Sequence, residues 1–230
     1  MSQNEFSLIE TILFEPKKGF YLLDLHLKRL QTAICDFKKL FPESFPKKLS
    51  NTEIASTLNE QLKKACDYYR VRLLVDTRSE ISIECAILDK STIMYDSLND
   101  ATMSDPLCLV VLDKQAINTD TRDPFLSHKT TNRSVYDIAR ERTQCTWDLK
   151  AVGKPFDVIL WNKNNHITET SIANIAVRSK DGQGNMVWKT PKLSCGLLPG
   201  VFRTSLLLSQ REPLIEDIIT VNELINVHKV

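Results

Sequence analysis

Lys129 stands in the stretch FLSHKTTNRSVYDIAR, directly behind His128 and one helical turn ahead of Arg133. A lysine becomes a nucleophile when desolvation or a nearby cation leaves its amine neutral part of the time. His128 and Arg133 are candidates for that influence, although a solvated lysine opening a helix would have the same local sequence. In LWNKNNHITETSIANIAV, Glu169 interrupts a run rich in β-branched residues. A carboxylate on a half-buried strand is costly unless a cation or donor meets it; a strand-edge glutamate facing water is the plainer alternative. GLLPGVFR places Val201 and Phe202 at the opening of a helix, where backbone N–H groups can receive an anion. Arg29, in LDLHLKRL, could fork onto a phosphate bidentately or simply lie in solvent.

The elements that must position these residues follow from the hydrophobic pattern. FSLIETILF and EPKKGFYLL read as strand, turn and strand, punctuated by Pro16 and Gly19. A helix follows with Asp24 as its N-cap, because Leu27, Leu30, Ile34 and Phe37 recur at helical spacing. Ser50 and Glu53 form a capping box for a second helix running to about Asp67. YYRVRLLVD and ISIECAIL flank TRSE as a hairpin, and LCLVVLDKQ is a further strand. The polar AINTDTRDP is the best linker. Beyond it, Val135, Ile138 and Ala139 support a helix. FDVILWN, HITETSIANIAVRS and NMVWKTP read as strands, CGLLPGVFRTSLLLSQ as a turn opening into a helix, and Thr220 with Glu223 caps the last helix. The expected class is α+β: an N-terminal α+β domain over 1–113, a linker over 114–119, and a strand-rich domain over 120–230.

Bulk composition narrows the function by exclusion. In 230 residues, 30 Lys and Arg against 29 Asp and Glu leave a net charge of +1, which gives no field for a nucleic acid or an anionic membrane. The six cysteines, Cys35, Cys66, Cys85, Cys108, Cys145 and Cys195, include no C-x-x-C pair, so no metal site is expected and they read as reduced, mostly structural thiols. MSQNEFSLIE lacks the basic and apolar regions of a leader, and no apolar run reaches spanning length; the expected location is the cytoplasm.

Taken together and in order, LIETIL, LDLHLKRL, DPFLSHKTTNRSVYD, FDVILWN, ITETSIANIAV and SCGLLPGVFR resemble the fold-type IV pyridoxal-phosphate enzymes, the class IV aminotransferase family. The likeness runs from about Phe6 to the last helix and is strongest to the 4-amino-4-deoxychorismate lyases, including the lyase domain fused to aminodeoxychorismate synthase. It implies a two-domain, D-amino-acid-aminotransferase-like fold whose C-terminal domain is a strand-rich pseudo-barrel, with pyridoxal 5'-phosphate in the cleft. The chain begins almost directly at the LIET strand, so the same likeness leads us to expect part of the usual first sheet to be missing or supplied by a partner.

Carried over by position, the resemblance makes Lys129 the cofactor-holding lysine and proton-transfer base, and Glu169 the partner of the pyridine nitrogen. Arg29 and the amides of Val201 and Phe202 would hold the phosphate, with Asn174 and Ser171 supporting the cofactor. Arg133 stands near the cofactor hydroxyl, where aminotransferases of the family usually carry tyrosine and lyase-like members arginine. The usual glycine- and arginine-rich motif for the substrate carboxylate is absent, leaving Arg70, Arg72 and Arg78 as substitutes, and Thr11 would present a hydroxyl toward the departing group. The implied reaction converts 4-amino-4-deoxychorismate, a small-molecule substrate, to 4-aminobenzoate and pyruvate for folate synthesis, in a homodimer with aminodeoxychorismate synthase as a partner. Two alternatives stay open: an aminotransferase for branched-chain or D-amino acids, and an inactive interaction subunit of the same fold.

Overall fold

Alternation along Ser7–Glu15 (β1) buries Leu8, Glu10, Ile12 and Phe14 on one face, and this strand organises the first half of the fold. The computed structural model describes residues 6–89, 98, 108–118, 120–180, 183–209 and 214–226. The chain divides into two compact units, Met1–Met94 with His128–Asn132, and Tyr95–Ser127 with Arg133–Val230.

In the first unit, β1 is flanked by Gly19–Phe20 (β2) and Tyr69–Asp76 (β3), and Ile81–Ile87 (β4) completes an antiparallel sheet in the order β2-β1-β3-β4. Val71, Leu73 and Val75 continue the buried face of β1. Leu27, Leu30 and Phe37 of helix Leu23–Leu40 (α1) and Ile54 and Leu58 of helix Asn51–Gln61 (α2) supply further buried apolar side chains. The Ser50–Glu53 capping box forms as read. Asp24 is not the N-cap of α1: the cap is Leu22, at φ 53, and Asp24 lies in the first turn, where its charge complements the helix N-terminus. Helix α2 stops at Gln61 instead of running to Asp67, because Leu62 is its last well-buried residue and Lys63, Lys64, Cys66 and Asp67 are exposed.

The short segment around Lys129 belongs to this sheet. Ile9 N donates to Lys129 O at 2.9 Å and Thr131 N to Ser7 O at 2.9 Å, with Leu8 and Thr130 bridged antiparallel. Because β3 pairs along β1 from Ser7 to Phe14, residues 129–131 take the other edge of β1, in line with β2.

The second unit holds two three-stranded sheets. Val110–Leu112 (β5) runs parallel to Asp157–Trp161 (β6), which pairs antiparallel with Ile167–Thr170 (β7). Val177–Lys180 (β8) pairs antiparallel with Met186–Pro191 (β9), and Leu214–Asp217 (β10) adds in parallel. Helices Pro124–Ser127 (α3), Ser134–Arg142 (α4), Val201–Ser209 (α5) and Val221–Asn226 (α6), with a 3-10 turn at Leu193–Cys195, complete its described elements. Thr220 and Glu223 cap α6 as read.

The division of the chain departs from the expected boundaries. Strand β5, placed by the sequence in the first domain, pairs with β6 of the second unit. Ile117, inside the expected linker, is 6% exposed, donates its N–H to Trp161 O at 2.7 Å, and packs with Leu126, Tyr136, Val158 and Leu160. One apolar residue in a polar stretch therefore anchors it to the second core. The run HITETSIANIAVRS is not one strand: it breaks after Thr170, whose N–H and hydroxyl both donate to Ala173 O, and resumes at Val177. All six cysteines are free thiols, but Cys35, Cys66, Cys85 and Cys108 are exposed, so the expectation of mostly structural roles does not hold for those four.

Candidate active site

In the first unit, Lys129 is half-buried and its backbone is fixed to β1. Its neighbour His128 is buried, with Nε2 3.3 Å from Asp36 Oδ2 of α1 and its ring 5.4 Å from that of Phe37. Burial pushes the His128 imidazole below its ordinary pKa, against the opposing charge of Asp36. Its Nδ1 is buried and makes no hydrogen bond among the described residues.

Arg29 does not stand by itself. Its Nε donates to Glu10 Oε1 at 2.9 Å and its Nη2 to Glu10 Oε2 at 2.6 Å, a fork on a carboxylate that is 2% exposed. His26 Nδ1 lies 2.6 Å from the same Oε2. Burial alone would raise the Glu10 pKa, but the bonds from His26 and Arg29 outweigh it and hold the carboxyl below its ordinary range. Sequence reasoning singled out Arg29 and passed over Glu10 and His26. The signal was present: Glu10 interrupts an apolar strand as Glu169 does, and His26 and Arg29 are three residues apart on one helix.

In the second unit, Glu169 lies on β7, one residue before its end, at 5% exposure. Tyr136 Oη donates to its Oε1 at 2.7 Å, Leu198 N to the same oxygen at 3.2 Å, and Asn174 Nδ2 to Oε2 at 3.1 Å. Burial, reinforced by the adjacent Glu169 charge, drives the Tyr136 hydroxyl far above its ordinary pKa, so it remains a donor. Tyr136 was missed because the pattern of α4 was read only for its apolar residues. Tyr136→Phe is expected to cost about 1.5–3 kcal/mol, the size of a hydrogen bond to a charged group, read as a lowered thermal midpoint of the apoprotein.

Asn174 is held by Glu169 and by Leu198 O, to which its Nδ2 donates at 2.8 Å. Ser171 is turned elsewhere: its hydroxyl donates to Asp157 Oδ1 and accepts from Arg140 Nη1 at 3.0 Å, while its carbonyl accepts from Arg133 Nη2. The expected support of a cofactor by the Ser171 hydroxyl is therefore replaced by a tie to Asp157 and Arg140, an ion pair buried on both sides. Arg140 also donates to Thr146 O at 3.0 Å and Phe156 O at 2.9 Å, which compensates its burial. Arg133 precedes α4, with its Cζ 4.8 Å from the Tyr136 ring centroid. Val201 and Phe202 open α5, whose first helical bond runs from Thr204 N to Gly200 O at 2.9 Å. Their N–H groups thus lie in the turn that has no carbonyl four residues back within the helix. Arg203 fixes this helix by donating to Thr190 Oγ1 at 3.1 Å and Pro191 O at 2.8 Å and by pairing with Glu216.

The β1–β3 register sets Thr11 opposite Arg72 and Leu13 opposite Arg70, so Thr11, Arg70 and Arg72 share one face of the first sheet. Arg72 Nη1 pairs with Glu84 Oε2 at 2.6 Å across β3 and β4. Arg78 is not brought to this group: it lies beyond the end of β3, pairs with Asp76, and is 83% exposed at its side chain. Among the described residues there is no metal-binding cluster of His, Cys, Asp and Glu, and no helix is long and apolar enough to cross a membrane.

Aminodeoxychorismate lyase from Saccharomyces cerevisiae is 29% identical over 231 residues, covering 86% of this chain and 61% of that protein, so the chain spans less than two thirds of its length. A candidate amino-acid aminotransferase from Mesorhizobium loti superposes with a TM-score of 0.73 at 26% identity, covering 97% of this chain and 91% of that one. A candidate 4-amino-4-deoxychorismate lyase from Legionella pneumophila gives a TM-score of 0.70 at 16% identity, covering 96% and 76%, a likeness of fold. The family model for amino-transferase class IV matches residues 7–230. With this match over nearly its whole length, the chain belongs to the class IV aminotransferase family of pyridoxal-phosphate-dependent enzymes.

Proposed function

We propose that this protein is a pyridoxal-phosphate-dependent lyase that converts 4-amino-4-deoxychorismate to 4-aminobenzoate and pyruvate. The observation that carries the cofactor reading is the buried carboxylate of Glu169, on which three donors from separate segments converge. The donor set fits the group. A carboxylate met by three neutral donors suits a protonated ring nitrogen, and the opening of α5 at Val201 and Phe202 suits a phosphate. When bound, the cofactor supplies an electron sink for a bond broken beside the substrate amine.

The residues of the chain would do the rest. Lys129 Nζ would bind the cofactor aldehyde and, once exchanged for the substrate amine, would take the proton from the amine-bearing ring carbon. Glu169 would keep its charge at the ring nitrogen. Arg29, oriented by Glu10, would offer the phosphate a cation, and the opening of α5 would offer it the Val201 and Phe202 amides. Arg72 and Arg70 would meet the substrate's carboxylates, with Glu84 exchanging its hold on Arg72, and Thr11 on the same sheet face would donate toward the departing group. Loss of the enolpyruvyl group gives an aromatic ring and is downhill, so the protein has mainly to control a proton and hold geometry.

The yeast lyase supports this choice of reaction, as does arginine at position 133 in place of tyrosine. The structural likeness to an amino-acid aminotransferase favours a second reading, transfer of an amino group to a 2-oxo acid. Purified protein given the cofactor and 4-amino-4-deoxychorismate, with no 2-oxo acid, is expected to release fluorescent 4-aminobenzoate over many turnovers. Absence of aminobenzoate alongside amino transfer to an added 2-oxo acid would replace the lyase by the aminotransferase. Family likeness further supports a homodimer, and a synthase supplying the substrate, as proposals.

A further inference from the structure

Gly200 is a glycine without a conformational reason. Unlike Gly196, at φ +87, it does not occupy the left-handed region. Its reason is space: a Cβ built at Gly200 would stand 1.8 Å from Asn174 Oδ1 and 3.0 Å from Asn174 Cγ. The orientation of the amide is fixed independently, because Nδ2 faces two acceptors, Glu169 Oε2 at 3.1 Å and Leu198 O at 2.8 Å, so Oδ1 must face Gly200. Leu198 closes the circuit by donating its N–H to Glu169 Oε1 at 3.2 Å, and Gly200 N donates to Leu198 O at 2.9 Å. Gly200 O then accepts the first hydrogen bond of α5 from Thr204 N.

We propose that Asn174 and Gly200 are positioning residues that clasp the Glu169 carboxylate and the opening of α5 into one rigid piece. An amide wedged against a bare Cα fixes the separation between the carboxylate and the first N–H groups of the helix. Resting on the cofactor reading above, the clasp sets two contacts at once, ring nitrogen and phosphate, so that a displacement of one displaces the other. Asn174 acts through Glu169 and the loop Leu198–Gly200, not by its own touch on the cofactor. Its alternative oxygen-out pose would set Oδ1 against the Glu169 carboxylate and is excluded by repulsion.

The test compares Gly200→Ala, Asn174→Ala and the double variant with the wild type. Thermal midpoints are measured on apoprotein, and affinities for pyridoxal phosphate and for pyridoxal, which lacks the phosphate, are measured by absorbance. Gly200→Ala is expected to weaken both ligands by about tenfold, a coupling of the size found between side chains in contact. Asn174→Ala should shift the pH at which the absorbance of the bound cofactor changes, because a loosened Glu169 alters how firmly the ring-nitrogen proton is held. In the double variant the clash is gone, so its affinities and midpoint should match those of Asn174→Ala alone. The proposal is overturned if Gly200→Ala binds like the wild type, if the two effects simply add, or if midpoints fall while affinities and the transition stay put. A wild type that takes up no pyridoxal phosphate would sink the cofactor reading instead, and the non-additivity of apoprotein midpoints would still decide whether the clasp exists.

Discussion

Lys129→Ala is expected to remove the borohydride-trappable link to pyridoxal phosphate and to lower turnover by roughly 10³-fold or more, since one residue is asked to serve as both nucleophile and proton carrier. The fold should survive the change. Ile9 N to Lys129 O and Thr131 N to Ser7 O are backbone bonds, which alanine at position 129 can still make. The apoprotein should therefore still unfold cooperatively while intact-mass analysis after borohydride shows no added cofactor. A Lys129→Ala protein that still traps the cofactor and still releases 4-aminobenzoate at the wild-type rate would refute the assignment of the nucleophile.

Glu10→Ala is expected to destabilise the first unit by about 3–5 kcal/mol, because it removes the buried carboxylate onto which Arg29 forks and against which His26 sits. Replacing both partners, as in Glu10→Leu with Arg29→Met, should restore much of that loss, because it leaves no buried charge uncompensated. Thermal unfolding of the two apoproteins distinguishes the cases, and equal midpoints would refute the argument. The same pair sets a pH dependence. The folded-state pKa of Glu10 lies below its unfolded value, so its stabilisation is present above the ordinary carboxylate range and is lost as pH falls through the depressed folded value. His128 acts in the same direction: its folded pKa is lowered by burial, so below its ordinary value of 6.5 the unfolded chain binds the proton more readily. Unfolding midpoints should decline as the solution is acidified from neutral, and in Glu10→Gln the decline at low pH should be shallower.

Local chemistry was legible in the sequence where neighbours in the chain are neighbours in space. The β3–β4 hairpin, the capping boxes at Ser50 and Thr220, and the placement of Val201 and Phe202 at a helix opening all depend on residues a few positions apart. The reading failed where a distant partner decides. Ser171 ends a strand that β-propensity would continue because Asp157, fourteen residues earlier, takes its hydroxyl and its N–H. The linker residue Ile117 is claimed by Trp161, and Arg29 by Glu10 across the gap between a strand and a helix. Of the candidate site, Lys129 and Glu169 could be nominated through the resemblance that the ordered motifs carry, and their roles are proposals. Tyr136, Leu198 and Gly200 could not, since a hydroxyl, a backbone N–H and a missing Cβ reveal their importance only once Glu169 and Asn174 have been placed beside them.

Residues His128–Asn132 belong with the first unit although the residues on both sides of them, Ser127 and Arg133, belong with the second. The amine of Lys129 is thus carried on a loan of five residues, inserted in the linear order of one unit and seated on strand β1 of the other. Cleavage of the polypeptide after residue 94 would give one fragment that keeps the seat without the amine and another that keeps the amine without its seat.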